Sequence, residues 1–124
     1  MKEIKRGSIV YADLGIHPKS SVQSGIRPCV VVSNNKNNRC SKVLSVCPCT
    51  AKVLKKNVPT HIELKISQVQ GRFEKDSKIL VEQITTIDKR MVISIMGCVS
   101  AESEVMSSVD KALFLQLGMA QIDE

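Results

Sequence analysis

Residues 28–50, PCVVVSNNKNNRCSKVLSVCPCT, decide the fold of this chain because they contain two apolar runs separated by a cluster of asparagines. The runs at residues 28–33 and 43–50 have the length of strands, and continuous apolar runs of this kind are typical of buried strands. The four asparagines between residues 34 and 38 predict a turn or hairpin loop. Pro48 has no backbone N–H to donate, so it predicts an edge or a bulge near the end of the second strand.

Further short strands are predicted on both sides of this stretch. Residues 7–13 and 60–65 alternate between apolar and polar side chains, which is typical of strands with one wet face. After a polar connection at residues 67–77, another strand is predicted to open at residues 78–81 and resume at residues 84–87, and a last strand is predicted at residues 92–99. The polar loop at residues 15–24 is long for a small domain, and loops of that length are commonly functional or mobile.

The end of the chain predicts a helix. Ser100 is a candidate cap for a helix beginning near Ala101, with Glu102 and Glu104 near the positive end of its dipole. The helix is expected to run toward Ile122. Its apolar stripe recurs at intervals of three and four residues, at Met106, Val109, Leu113, Leu117 and Ala120. We therefore expect a mainly β fold, in which a small antiparallel barrel is backed by a C-terminal α-helix.

The charge of the chain is unevenly distributed. The formal net charge is +6, but residues 1–56 contain 11 basic and 2 acidic residues, and residues 57–124 contain 7 basic and 10 acidic residues. Clustered lysine and arginine side chains favour a polyanionic partner. Aromatic residues make up only 2% of the chain, which disfavours a protein that stacks many bases on aromatic side chains.

The five cysteines indicate a reduced, cytosolic protein. Their number is odd, and the first residues, MKEIKRG, have no apolar signal segment. Cys29, Cys47 and Cys49 lie in predicted strands, where free cysteine packs as a small apolar residue. Cys-Pro-Cys with two distant histidines matches zinc spacing only weakly, so a cysteine metal site or redox switch remains an alternative. No uncharged run is long enough to cross a bilayer, so we expect no membrane span.

Three stretches resemble the MazF/PemK family of toxin endoribonucleases. They are RGSIVYADL at residues 6–14, GIRP at residues 25–28 and SKILVEQITTIDKR at residues 77–90. Two shorter segments, NRCS at residues 38–41 and PTHI at residues 59–62, lie at spacings similar to those of the family. The resemblance covers nearly the whole length, so residues 1–124 are expected to form a single domain.

This resemblance implies a structure and an activity. The expected fold is a small SH3-like barrel related to the CcdB and Kid toxins, assembled as a homodimer. The expected activity is sequence-specific cleavage of single-stranded RNA without a metal or other cofactor. The protein would be the toxin of a type II toxin–antitoxin module, blocked by a partly disordered MazE-like antitoxin. The resemblance places catalysis on Arg27, from the Gly-x-Arg-Pro motif, and on Thr50, at the end of the third strand.

The residue types suit this chemistry. Attack by a ribose 2′-hydroxyl on the adjacent phosphate passes through a phosphorane with extra negative charge, and it leaves 2′,3′-cyclic phosphate and 5′-hydroxyl ends. The planar guanidinium of Arg27 can donate two hydrogen bonds to that charge, and Thr50 can add a hydroxyl donor. Arginine stays protonated, so the group that removes the 2′ proton is left open, and His17 is one candidate because histidine changes protonation near neutral pH.

RNA contacts are expected from the loop at residues 15–24 and from two later segments. Lysines would hold phosphates, while glutamate and glutamine can read base edges. The loop has no acidic residue, unlike the usual form in the family, so the recognised sequence is left open. The candidate contact residues are Lys19, Ser20, Gln23, Lys52, Glu82 and Gln83.

Plainer interpretations of the same residues are also open. Arg27 could be a surface ion-pair residue, Thr50 an ordinary strand residue, and Glu82 the partner of a nearby basic side chain. A different function for the whole fold would be a non-catalytic, CcdB-like toxin that binds DNA gyrase. The Gly-x-Arg-Pro motif and Thr50 argue against that alternative.

Overall fold

The computed structural model describes residues 3–52 and 57–120, and within them the polypeptide forms an antiparallel sheet flanked by helices. The strands are β1 (Ser8–Asp13), β2 (Ile26–Val31), β3 (Val43–Thr50), β4 (His61–Leu64), β5 (Gln70–Gly71), β6 (Ser77–Leu80), β7 (Thr85–Asp88) and β8 (Val92–Cys98). The helices are α1 (Asn35–Cys40) and α2 (Glu104–Gln116), and single 3₁₀ turns occupy Ile66–Gln68, Val81–Gln83 and Lys89–Met91.

The sheet has the strand order β4-β6-β3-β2-β1-β8-β5, and β7 pairs with β3 beside this path. All of these pairings are antiparallel. In the described part of the chain no pairing joins β4 to β5, so the sheet is a half-barrel and not a closed barrel. The predicted class, mainly β with a C-terminal helix, is confirmed.

The asparagine cluster forms a helix, so the turn or hairpin loop predicted there is wrong. The side chain of Asn34 accepts a hydrogen bond from the backbone of Asn37 and thereby caps α1 at 2.9 Å. Asn38 is buried, and its amide donates to the Ser33 carbonyl at 2.8 Å. Asparagine side chains satisfy free backbone groups at helix starts as well as in turns, and the sequence alone does not distinguish the two uses.

Pro48 does not lie on an edge strand. It is fully buried and lies opposite Cys29 of β2. On the other side of β3, the pairing with β7 ends at Val46 and the pairing with β6 begins at Cys49. Pro48 falls in the gap where β3 changes partner, and a residue without an N–H is tolerated there because that side needs no ladder bond.

Helix α2 begins later and ends earlier than its apolar pattern predicts. Ser103, and not Ser100, is its cap, accepting a hydrogen bond from the backbone of Met106 at 3.2 Å. The helix ends because Gly118 has a φ of 72° and the Met119 N–H donates back to the Phe114 carbonyl at 2.8 Å, the Schellman arrangement. Leu117 and Ala120 are therefore exposed and outside the buried stripe, and Ile122 lies outside the described residues.

Apolar side chains pack on both faces of the sheet. On one face, α2 contributes Val105, Met106, Val109 and Ala112 to a core with strand residues such as Ile79. The opposite face carries a second cluster, which includes Val10, Cys29, Val31, Leu44 and Val46. This second cluster leads along β2 and β3 toward Arg27 and Thr50, so it fixes the strand ends that carry the predicted site.

Two further contacts connect distant parts of the chain. The Arg6 guanidinium forms an ion pair with Asp110 of α2, and its Nε donates to the Val32 carbonyl at 2.9 Å. The predicted polar connection at residues 67–77 contains strand β5, whose Gly71 lies opposite Gly97 of β8. In the described ranges, no helix has the length and apolar character needed to span a membrane.

Candidate active site

A cleft of about 790 Å³ opens between the β1–β2 hairpin, β8 and the segment at residues 72–77. Its walls carry three cationic side chains, Arg27, Arg72 and Lys75, and one carboxylate, Glu74. Apolar atoms from Tyr11 and from other residues of the cleft complete the lining. A cavity with an apolar wall and a few converging charges is the usual form of a binding site.

Arg27 lies on β2, opposite Ala12 of β1, and is half-buried. Its Nε donates to the carbonyl oxygen of Ser24 at 3.0 Å, which fixes the plane of the guanidinium. Among the described residues, no hydrogen bond or ion pair engages its two terminal nitrogens. In the described ranges Arg27 therefore has no acidic partner, which argues against its interpretation as an ion-pair residue. The terminal nitrogens are available for an anion in the cleft.

Thr50 ends β3 and is 7% exposed. Its Oγ1 accepts a hydrogen bond from the backbone of Lys52 at 3.2 Å, so the hydroxyl hydrogen remains available to a ligand. Thr50 lines a second depression of about 230 Å³, together with Lys52, Lys65 and Lys78. Ala51 and Ser77 line both depressions, so the two depressions adjoin at these residues.

The strand register relates the two predicted catalytic residues. The β2–β3 ladder pairs Cys29 with Pro48, and the same register continued by two residues brings Arg27 level with Thr50. Both side chains would then lie on one face of the sheet, because side chains two positions apart share a face. The β2–β3 ladder itself ends at the pair Cys29–Pro48, and on the opposite edge of β3 Thr50 pairs with Lys78 of β6. Arg27 and Thr50 thus lie at the same end of neighbouring strands, in adjoining depressions.

The loop at residues 15–24 leaves the sheet beside this site. Its base is closed by hydrogen bonds from Leu14 N to Gly25 O at 2.9 Å and from Gly25 N to Gly15 O at 2.7 Å. Both glycines have positive φ, 81° and 79°, which favours glycine at this hairpin base. Lys19 and Ser20 are exposed in the loop, and Gln23 is half-buried near its end.

Glu82 and Gln83, both predicted to contact RNA, lie in the 3₁₀ turn between β6 and β7 and already have protein partners. Glu82 accepts from Nε2 of His61 at 2.5 Å, which agrees with its alternative role as the partner of a basic side chain. Gln83 bonds to the loop, accepting from Gln23 N at 2.8 Å and donating to Ser21 O at 3.2 Å. RNA contacts by these two residues stay predictions, and a contact by Gln83 would require release of the loop.

The sequence reasoning missed two cations of the cleft. Arg72 and Lys75 lie in the segment that was predicted only as a polar connection, and both are exposed. The available signal was their position on either side of Phe73, a rare aromatic residue that the structure buries. The predicted contact residue Lys52 is exposed just after Thr50.

His17 is exposed in the loop, with Nε2 2.9 Å from the Leu14 carbonyl oxygen, and it is not among the residues that line the cleft. His61 lies on β4 and pairs with Glu82. The Nδ1 atom of His61 and the Oε1 atom of Glu82 are buried, and the described residues offer them no hydrogen-bond partner.

The cysteines are free thiols, and three of them are buried. Burial raises the pKa of Cys29 and of Cys47 to about 12, and it raises the pKa of Cys49 well above its usual value. These thiols stay protonated near neutral pH and pack as apolar side chains, as predicted. In the ranges that the structure describes, no group of three or more potential ligands is placed to hold a metal ion.

Comparison with known proteins identifies a matching family and a similar relative. Residues 5–117 match the family described as PemK-like, MazF-like toxin of type II toxin-antitoxin system. The chain is 39% identical over 120 residues to Endoribonuclease EndoA of Bacillus subtilis (strain 168), with 97% of each chain covered.

Solved structures share the fold. The crystal structure of MazF from Deinococcus radiodurans has a TM-score of 0.78 at 21% identity, covering 96% of this chain and all of that one. An endoribonuclease in complex with its cognate antitoxin from Mycobacterial species has a TM-score of 0.71 at 23% identity, covering 98% of this chain and all of that one.

Proposed function

The chain belongs to the PemK-like, MazF-like family of toxin endoribonucleases of type II toxin–antitoxin systems, and on that basis we propose that it cleaves single-stranded RNA at the cleft that holds Arg27. The proposal depends on how the guanidinium of Arg27 is bonded. Its Nε is held by the protein, while no described residue engages its terminal nitrogens, and the cleft that it lines carries two further cations, Arg72 and Lys75.

In the proposed reaction, the ribose 2′-oxygen attacks the adjacent phosphorus and loses its proton as the bond to the 5′-oxygen of the next nucleotide breaks. The products are a 2′,3′-cyclic phosphate and a 5′-hydroxyl, which takes up a proton. Negative charge grows on the non-bridging phosphate oxygens during this step. Arg27 stabilises that charge through its terminal nitrogens, which are already oriented by the bond to Ser24 and need little reorganisation.

Thr50 supplies a hydroxyl donor to the same phosphate. Its Oγ1 is fixed by the backbone N–H of Lys52, so its hydrogen is free to point toward an oxygen of the ligand. Because Thr50 lines the depression next to the cleft, the scissile phosphate would lie near Ala51 and Ser77, which both depressions share.

Cations around the two depressions would hold the neighbouring phosphates. Lys19 from the loop and Lys52 after β3 are the predicted contacts, and Arg72 and Lys75 of the cleft join them. Ser20 and Gln23 provide hydrogen-bonding groups for base edges of unstacked nucleotides, which is the way single-stranded RNA is read in sequence. A base contact by Glu82 would require release of its bond to His61.

The test is cleavage of a long single-stranded RNA in EDTA, with the ends mapped by mass spectrometry. The wild type should make discrete cuts with 2′,3′-cyclic phosphate ends, and Arg27→Ala and Thr50→Ala should lose at least a hundredfold in rate. His17→Ala should stay within about threefold, because His17 does not line the cleft. A loss of a hundredfold or more would identify His17 as the general base.

Matched controls separate the proposal from its alternatives. A substrate of the same sequence with 2′-deoxyribose at the cut site should resist cleavage. Equal cleavage by the wild type and both site variants would mean a contaminating nuclease. Trapping of cleaved DNA in a gyrase supercoiling assay, without RNA cleavage, would favour the gyrase-binding alternative.

We also propose a cognate antitoxin of the MazE type and a homodimer. Relatives have been crystallised with a cognate antitoxin, and the basic first half of this chain suits an acidic, partly disordered segment. One protomer offers only a short cleft, and two would present a longer basic surface to RNA. Sedimentation should give the dimer mass, and an acidic partner encoded beside the toxin should block cleavage. A monomer mass, or cleavage that persists with the partner bound, would contradict these two points.

A further inference from the structure

The side chain of Gln83, which belongs to the body of the protein, holds the loop beside the cleft in a contact called here the grip. The amide of Gln83 uses both of its ends, accepting from the backbone N–H of Gln23 at 2.8 Å and donating to the carbonyl of Ser21 at 3.2 Å. These loop residues are about 60 positions away in sequence. The contact is therefore tertiary and fixes the loop relative to the sheet.

Gln83 is itself held in place by the fold. It ends the 3₁₀ turn Val81–Gln83, in which Val81 is fully buried and the Ile84 N–H donates to the Val81 carbonyl at 3.1 Å. The turn lies between β6 and β7, which both pair with β3. A side chain on such a base has few conformations to lose when it binds the loop.

The remaining bonds of the loop divide it into two parts. Arg27 holds Ser24 through its Nε, so Gln83 and Arg27 together fix three of the four residues from 21 to 24. In the outer part, His17 bonds to Leu14 and Ser20 accepts from Val22, both within the hairpin itself. Among the described residues, no side chain from the body of the sheet bonds to residues 16–20.

We propose that Gln83 is a positioning residue that holds the loop at residues 15–24 beside the RNA cleft, and that it acts through Ser21, Gln23 and the adjoining Ser24–Arg27 bond. The role of the loop in RNA binding rests on the proposed function. The grip itself does not depend on that function, because it is made entirely of protein atoms. With the grip intact, Gln23 is presented to RNA at a lower ordering cost on binding.

The first experiment measures the loop directly. Trypsin cuts after Lys19, and the rate of appearance of the fragment 1–19 from the folded protein reports how often the loop opens. Gln83→Ala should raise that rate about tenfold, because two hydrogen bonds are lost together. Gln83→Glu keeps the acceptor for Gln23 N but loses the donor to Ser21 O, so its rate should lie between the two.

Gln116→Ala is the matched control. It removes the same amide from the end of α2, outside the cleft, and it should leave the cut after Lys19 unchanged. Thermal unfolding of each variant shows whether the fold is intact. If Gln83→Ala unfolds, the comparison of Gln83→Glu with the wild type decides the result.

The second experiment measures RNA cleavage by the same proteins. Gln83→Ala should raise KM severalfold and change kcat by less than about threefold, and Gln83→Glu should recover part of the loss. A trypsin rate that does not change in either folded variant would overturn the proposal, and so would an equal loss of kcat with KM unchanged. Faster loop cleavage in a protein that cuts no RNA would leave the grip standing and refute the proposed function instead.

Discussion

The guanidinium of Arg27 uses different nitrogens for two tasks. Nε holds the Ser24 carbonyl, and the terminal nitrogens have no hydrogen-bond partner among the described residues, although Arg27 lines the cleft. A lysine has one nitrogen on a flexible stem and cannot perform both tasks at once. The shape of the side chain, and not only its charge, is therefore required at this position.

We expect Arg27→Lys to reduce kcat/KM for RNA by a hundredfold or more, although the charge is kept. Arg72→Lys is the control, because Arg72 lines the same cleft and its change should cost less than tenfold. Single-turnover cleavage of a short RNA measures both. Equal losses in the two variants would mean that only the total charge of the cleft matters.

The cysteines permit a second test at the residue scale. Burial raises the pKa of Cys29 and of Cys47 to about 12, which lowers their reactive thiolate fraction at pH 8 about a thousandfold relative to a free thiol. Folded protein should therefore show two fast thiols with a disulfide reagent, Cys40 and Cys98, and three slow ones. Unfolded protein should show five, and Cys40→Ser should remove one fast thiol. Three or more fast thiols in the native state would contradict the burial.

At the scale of elements, the strands were predictable from sequence because alternation and apolar runs are local signals. The boundaries of β3 match its pattern, residues 43–50. The helices were harder, because α1 depends on where Asn34 and Asn38 direct their side chains. The start of α2 depended on choosing between two nearby serines.

That choice can be tested by removing each serine. Ser103→Ala should lower the free energy of unfolding by about 1 kcal/mol, because the Met106 N–H loses its acceptor. Ser100→Ala should change it by less than about 0.5 kcal/mol, because among the described residues the Ser100 side chain bonds only to exposed Glu102. Urea unfolding measures both. A larger loss in Ser100→Ala would place the start of the helix earlier.

The candidate site was predictable where a motif marks it and not where folding assembles it. Arg27 and Thr50 were identified through a family motif, and the strand register places them at the same end of the sheet. The grip of Gln83 on the loop joins residues far apart in sequence. Arg72 and Lys75 reach the cleft only because β5 pairs with β8 and brings residues 72–77 beside β2. Such contacts leave no local pattern.

On the scale of the whole molecule, the positive charges around the cleft should dominate RNA affinity. The proposed phosphate contacts are five cations: Lys19 of the loop, Lys52 of the second depression, and Arg27, Arg72 and Lys75 of the cleft. If each contacts one phosphate, affinity for a non-cleavable single-stranded RNA should fall about a hundredfold between 50 and 200 mM salt. Lys52→Gln and Lys75→Gln should each reduce the slope of log affinity against log salt by about 0.7. Lys111→Gln on α2 should leave it unchanged, and a slope that responds equally to all three would place the RNA elsewhere.

The position of β1 has a consequence for synthesis of the protein on the ribosome. β1 emerges first, yet it is paired on both sides only when β8 arrives, and Arg6 meets Asp110 later still. Contacts between distant residues form late and slowly. Arg27 and Thr50 therefore leave the exit tunnel well before the cleft wall from β8 exists. We expect the nascent chain to stay inactive until its last helix is released, so that a protein able to cut RNA spares the message from which it is being translated.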